Sequence, residues 1–234
     1  AGAIVGQKGT GCLCHRLRGH TAHCLAPNLT PPHDGHNMTI IMRTASTRKA
    51  LSHERIVEVA CKAIRRAGYR GVGVADIMQE AGLTHGGFYA HFASREAMLV
   101  EAMHRAGIDN EAALTEAVAR RVARGRSGFA ALVGAYLHDS NLDRPEQGCV
   151  VAALASEMAR QGDAVREAAR QRVQALVALV AAALPAGTSA AEAGVVAATM
   201  VGSLQLARTL GGEAGRALLA QTRDALIQRH DTPT

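Results

Sequence analysis

The chain has 234 residues, 48% of them apolar, and a formal net charge of +6, so it is long enough for one large or two small domains with a core. Its five cysteines are an odd number without the spacing of a disulfide framework, which fits a reducing cytoplasm, and no continuous apolar run reaches the ~18 residues of a membrane span. Alanine, leucine, arginine and glutamate are abundant while Val/Ile/Thr alternation is scarce, a mixture that predicts an all-α protein.

The charge is unevenly spread. Residues 1–42 carry a net +2, residues 43–95 a net +5 and residues 96–234 a net −1. A basic module on a near-neutral body fits a polyanionic partner, and an ordinary solvated helix face gives the same pattern. Residues 1–42 are rich in Gly, His, Pro and Cys and lack helical periodicity. The tract CLCHRLRGHTAHC invites a metal-binding reading, but its spacing matches no common zinc module. A disordered leader with no metal is expected, with Met38 or Met42 as the natural start and the leader an artefact of where the start was assigned.

Helical signals begin at Ser52, an N-cap type with Glu54 in the following turn. Ile56, Ala60, Ala63, Ile64 and Ala67 form one apolar stripe, with Arg55, Lys62, Arg65 and Arg66 expected to face mostly away from it. Gly68 is the expected C′ residue, and residues 69–73 a loop. A second helix is predicted from Val74 to about Ala81, with Gly82 as its stop. Thr84 caps a third from His85 to about Phe92, and Ser94 caps a fourth from Arg95 past Met103, reaching as far as Arg124. Two short helices separated by AGLT predict a helix-turn-helix.

The stretch THGGFYAHF holds three of the six aromatics, directly after two glycines. Each glycine costs a helix roughly 1 kcal/mol relative to alanine. Phe88 and Phe92, at i and i+4, are expected to bury together and anchor the segment. Gly86 and Gly87 then leave its first turn bare, so the backbone can approach bases and phosphates in a major groove about 12 Å wide.

The segment RIVEVACKAIRRAGYRGVGVADIMQEAGLTHGGFYAHFASREAMLVEAM, Arg55 to Met103, resembles the DNA-binding domain of the TetR (AcrR-like) family of transcriptional regulators. Its most specific part is AGLTHGGFYAHFASREAML. Three positions depart from the family pattern: Gly73 where Thr or Ser commonly caps the second helix, Ile64 where an aromatic is common, and Arg95 in place of lysine. The resemblance implies an N-terminal three-helix DNA-binding domain at residues 43–98 and a helical effector-binding and dimerisation domain at 99–230. It implies that Thr84 caps the recognition helix and touches phosphate, that Tyr89 and His91 contact the DNA backbone, and that Arg95 anchors a phosphate. His85, Gly86 and Gly87 fall where base or near-base contacts are expected, and Gly73 caps the preceding helix. Arg43, Arg48 and Lys49 are expected as a minor-groove arm. Tyr89 reads equally as an interhelix tyrosine, His91 as a capping or solvated histidine, and Arg48 and Lys49 as solvated charges.

Beyond this segment, helices are predicted near Ser127–Asp139, Gly148–Arg160, Asp163–Leu184, Ser189–Leu210 and Gly212–His230, with NLDRPEQG and PAGTS as breakers. The last two, rich in small residues at the first, are expected to build an intersubunit four-helix bundle in a homodimer; intrachain core is the alternative. The effector pocket is expected between the helices starting near Arg95, Ser127, Gly148 and Asp163. Met103, Phe129, Tyr136, Cys149, Leu154 and Met158 are its candidate lining, each also readable as plain core. Cys149 falls at a helix start, where a thiolate is favoured, and a Gly-Cys element occurs in family members that respond to electrophiles or oxidants; a small buried residue is the other reading.

No metal-ligand pair of the HExxH kind, phosphate loop or nucleophile elbow is visible, so no enzyme activity and no cofactor are expected. The resemblance implies a cytoplasmic, homodimeric regulator bound to a double-stranded DNA operator and released by a small hydrophobic or electrophilic effector, with no membrane partner. The alternative is a helical small-molecule-binding module, or an enzyme, without DNA binding.

Overall fold

The computed structural model describes residues 35–231, with side chains from Thr47 onward. The expected leader therefore lies outside the described residues as far as position 34. Among the described residues every regular element is helical.

Helix α1 runs Gly35–Ala67. It starts well before Ser52, which sits inside it rather than capping it. No glycine or proline occurs between Gly35 and Gly68, so nothing in the sequence breaks the helix at Ser52. Gly68 (φ +75°) and Gly82 (φ +70°) end their helices in the left-handed region, as expected. Helix α2 spans Val74–Glu80. Gly73 caps it with its backbone alone, its N–H donating to Asp76 Oδ2 at 3.2 Å.

The next segment, His85–Ala90, is wound as a 3-10 helix instead of the predicted α-helix to Phe92. Its bonds close three residues back, Gly87 N–H to Thr84 O at 3.0 Å and His91 N–H to Phe88 O at 2.9 Å. The glycine pair withholds the propensity an α-helix would need here, and the Thr84 hydroxyl makes no cap bond. Six residues at about 2.0 Å each still give a rod of about 12 Å.

Helix α3, Arg95–Val122, is uninterrupted, and Ser94 Oγ caps it by accepting from Ala97 N–H at 3.0 Å. The body follows as α4 (Gly128–Tyr136), α5 (Ser140–Asp143), a 3-10 turn (Pro145–Gln147), α6 (Val150–Met158), α7 (Asp163–Ala183), α8 (Ala190–Leu210) and α9 (Gly212–His230). The predicted boundaries of α7, α8 and α9 agree to within a residue. The breaker NLDRPEQG turns out to hold two short helical turns.

The principal packing pairs of the body are α8 with α9, and α3 with both α4 and α7. Its core includes Leu132, Leu137, Leu154, Val180, Val196, Met200 and Leu219. Among the described residues α8 alone has the length and apolarity of a membrane span. It packs against α6, α7 and α9 and buries Ala193, Val196, Met200 and Leu204.

Candidate nucleic-acid interface and effector cleft

In the N-terminal unit, Ile56, Ile64, Ile77, Met78, Phe88 and Phe92 are all buried. Phe88 and Phe92 stack with ring centroids 5.5 Å apart, and His53 of α1 stacks on Phe92 at 4.5 Å. The 3-10 segment is therefore held from beneath by its aromatic rings, as the i, i+4 spacing predicts. Ala67, expected on the buried stripe, is exposed, and Arg65, expected to face away, is buried at 6% exposure.

The opposite face of the segment is bare. Thr84, His85, Gly86 and Tyr89 are exposed, Tyr89 at 75%, with its ring edge-on to Phe88 at 5.3 Å. Neither glycine is required by the protein's own interior. Both lack positive φ; a Cβ at Gly86 would meet nothing within 4 Å, and one at Gly87 would make ordinary contact with Met78 and Thr84 at 3.7 Å. A residue pair that lowers helix propensity without relieving any internal clash points to a requirement outside the chain.

His91 is half-buried, and its Nδ1 has no hydrogen-bond partner. Burial, helped by the positive neighbours His53 and Lys49, holds its pKa below the usual histidine value. Arg48 and Lys49 are exposed but lie in α1 itself, so they form part of a helix and not an extended arm. The side chain of Arg43 lies outside the described residues. Arg95 makes contacts that its family position does not suggest: its Nη2 donates to the carbonyls of Tyr69 and of Val72, the latter at 3.2 Å. It ties the α1–α2 loop to the start of α3, a role the local motif does not reveal because the acceptors are more than twenty residues away.

Three further contacts join this unit to the body. Arg65 Nη1 donates to Gly148 O at 3.1 Å, while its Nε and Nη2 reach Cys61 O and Sγ at 3.0 and 3.1 Å. Tyr69 N–H donates to Glu157 Oε2 at 3.1 Å, and Tyr69 O–H to Met103 Sδ at 2.9 Å. Burial pushes the Tyr69 phenol up, with Glu157 adding to the shift. Gly68 makes room for this approach, since a Cβ there would lie 2.4 Å from Glu157 Oε1. Sequence reasoning placed Arg65 on the outward face, although Val57, Cys61 and Arg65 share one helical row whose first two members are apolar.

A small, half-open cleft lies between α3, α6 and α7, lined by Gly107, Asn110, Glu111, Cys149, Val150 and Arg172, among others. Three of the four helices expected to frame a pocket do frame it; α4 does not. Of the six candidate lining residues only Cys149 reaches it. Met103, Leu154 and Met158 are packed core, Phe129 sits edge-on to His230 at 5.5 Å, and Tyr136 is buried. Cys149 is the N-cap of α6 and is 7% exposed. Burial raises the Tyr136 phenol well above its usual range, and the neighbouring Cys149 adds to this. The Tyr136 hydroxyl has no hydrogen-bond partner of good geometry. Arg208, lowered by burial, donates through Nη2 to Asn141 O at 2.9 Å.

Residues 56–102 match the family model of the bacterial regulatory proteins, tetR family. The whole described fold is similar to that of Escherichia coli NemR in its reduced form, at 19% identity over 78% of this chain and 98% of that one, TM-score 0.64. It is similar to a TetR-family transcriptional regulator from Agrobacterium tumefaciens (24% identity, 77% and 98% covered, TM-score 0.64). A TetR transcriptional regulator from Chloroflexus aurantiacus gives 23% identity, 78% and 95% coverage, and TM-score 0.65. No curated protein matches the sequence. Residues 56–102 thus match the tetR family's N-terminal domain, and they sit on an all-helical body whose fold is similar to that of TetR-family regulators.

Proposed function

We propose that the protein is a homodimeric repressor that binds a pseudo-palindromic operator and releases it when a small hydrophobic or electrophilic effector occupies the body. The carrying observation is the bare leading face of the 3-10 segment, where Gly86 serves no internal purpose while Phe88 and Phe92 fix the segment from behind. Thr84, His85, Gly86, Gly87 and Tyr89 face the duplex. Arg48 and Lys49 lie along α1, and Arg95 supports the surface through the loop carbonyls. Dimerisation through α8 and α9 is supported by Val195, Leu206 and Leu210, which are 54%, 61% and 58% exposed along one side of α8. Gly202 lies on the same side, and the space about its missing Cβ is open. Two subunits would then offer recognition segments about one helical turn apart, ~34 Å. The cytoplasm is the compartment such a repressor needs, and neither a membrane, a catalytic step nor a cofactor enters the reading.

An electrophoretic shift on duplex DNA from upstream of the protein's own coding sequence tests this. Retardation that weakens roughly 10³-fold or more between 50 and 200 mM salt is expected for six or more neutralised phosphates. Absence of a shift, or a flat salt response, removes the DNA-binding reading in favour of a small-molecule-binding module. The electrophilic arm is tested with N-ethylmaleimide on the wild type and Cys149→Ser. Release of DNA from the wild type alone is expected; equal release from both excludes Cys149 as the sensor.

A further inference from the structure

The cleft between α3, α6 and α7 holds an arginine with one buried, unpaired donor. Arg172 Nε is fully screened from solvent and has no hydrogen-bond partner. Among the described residues the side chain forms no ion pair, although Glu111 lines the same cleft and is exposed. Leaving a buried donor unpaired is costly, and more so when the group is charged.

The chain has nonetheless made room for this guanidinium. It lies against α3 at Gly107, where a Cβ would fall 2.2 Å from Arg172 Nη1 and 2.7 Å from its Cδ. A side chain at 107 would require the flexible end of Arg172 to shift, so the two positions are coupled. Around them the cleft is mixed, with Asn110 and Glu111 on α3 and the apolar Val150, Val151, Leu176 and Leu179 on α6 and α7.

We propose that the cleft binds a small monocarboxylate with an aromatic or short aliphatic body, its carboxylate received by Arg172 and its body by the α6 and α7 side chains. A planar carboxylate matches the guanidinium fork and satisfies the orphaned donor, whereas a cation would face Arg172 unpaired. The inference rests on the effector-responsive reading above and gives that effector a chemical class.

The test uses the full chain and three carboxylates, benzoate, cyclohexanecarboxylate and hexanoate, against their neutral amides, by calorimetric titration and thermal denaturation. At least one acid is expected to bind, roughly tenfold or more tighter than its amide. Arg172→Met is expected to lose that preference while melting no lower than the wild type, because the arginine it removes has no partner to lose. Gly107→Ala, which displaces the guanidinium, is expected to weaken the acid and spare the amide. Binding of none of the acids, equal binding of acid and amide, or full acid affinity in Arg172→Met overturns the proposal. The DNA shift is read separately. Carboxylate binding that leaves DNA affinity unchanged removes the effector role and leaves the site standing; absence of DNA binding removes the regulatory reading alone.

Discussion

Replacing Gly86 by glutamate is expected to leave the fold intact and to reduce DNA affinity by at least about tenfold, or roughly 1.4 kcal/mol. Position 86 is exposed, has no left-handed backbone requirement, and offers open space to a side chain. A substitution there shifts stability by no more than about 0.5 kcal/mol. On the proposed DNA surface the same side chain fills the gap between backbone and base edges and sets a carboxylate among phosphates. Fluorescence anisotropy with a labelled duplex, beside a urea melt of the same variant, separates the two effects. Unaltered affinity with unaltered stability would move the contact surface away from this segment. Gly86→Ala supplies the graded control: slightly more stable than the wild type, weaker on DNA, and milder than the glutamate.

The second large effect is expected at Arg65. Arg65→Met is expected to destabilise the protein by about 1–3 kcal/mol in urea denaturation, because Gly148 O is left without its donor. Burying the guanidinium carries its own desolvation cost, which works in the other direction. Three acceptors at 3.0–3.1 Å replace the lost water, however, and the charge is held in place. Arg65→Lys is expected to restore little, since one ammonium cannot span Cys61 O, Cys61 Sγ and Gly148 O together. A loss under about 0.5 kcal/mol would mean that this contact does not secure the N-terminal unit to the body.

Arg65 also shows where sequence reading stops. Positive residues on a helix are solvated by default, and the acceptor that makes Arg65 an exception, Gly148, lies 83 positions away. The loop contacts of Arg95 were not legible for the same reason: its family position suggests phosphate, and nothing local points to the carbonyls of Tyr69 and Val72. The local patterns were legible. Phe88 and Phe92 pair as their spacing requires, Ser94 caps α3, and Gly68 and Gly82 end α1 and α2. The 3-10 winding of residues 85–90 was not legible, because Phe92 lies just beyond it and closes an i, i+4 bond to Phe88, so the pair reads as α-helical spacing. The cleft lining was the least legible part. Met103, Leu154 and Met158 are large apolar residues like any others in the chain, and only packing distinguishes wall from core.

Helix α3 has no break between the Ser94 cap at one end and Val122 at the other. At 1.5 Å per residue its 28 residues make a beam about 42 Å long. Gly107, in the cleft, stands nearly halfway along it. A tilt of roughly 5° about the far end displaces the near end by about 4 Å, comparable to the ~3.4 Å step from one base to the next along a strand. On the proposed reading, a small rearrangement beside Gly107 would be magnified into a whole step of mismatch at the duplex, and a stiff strut would achieve this without any hinge of its own.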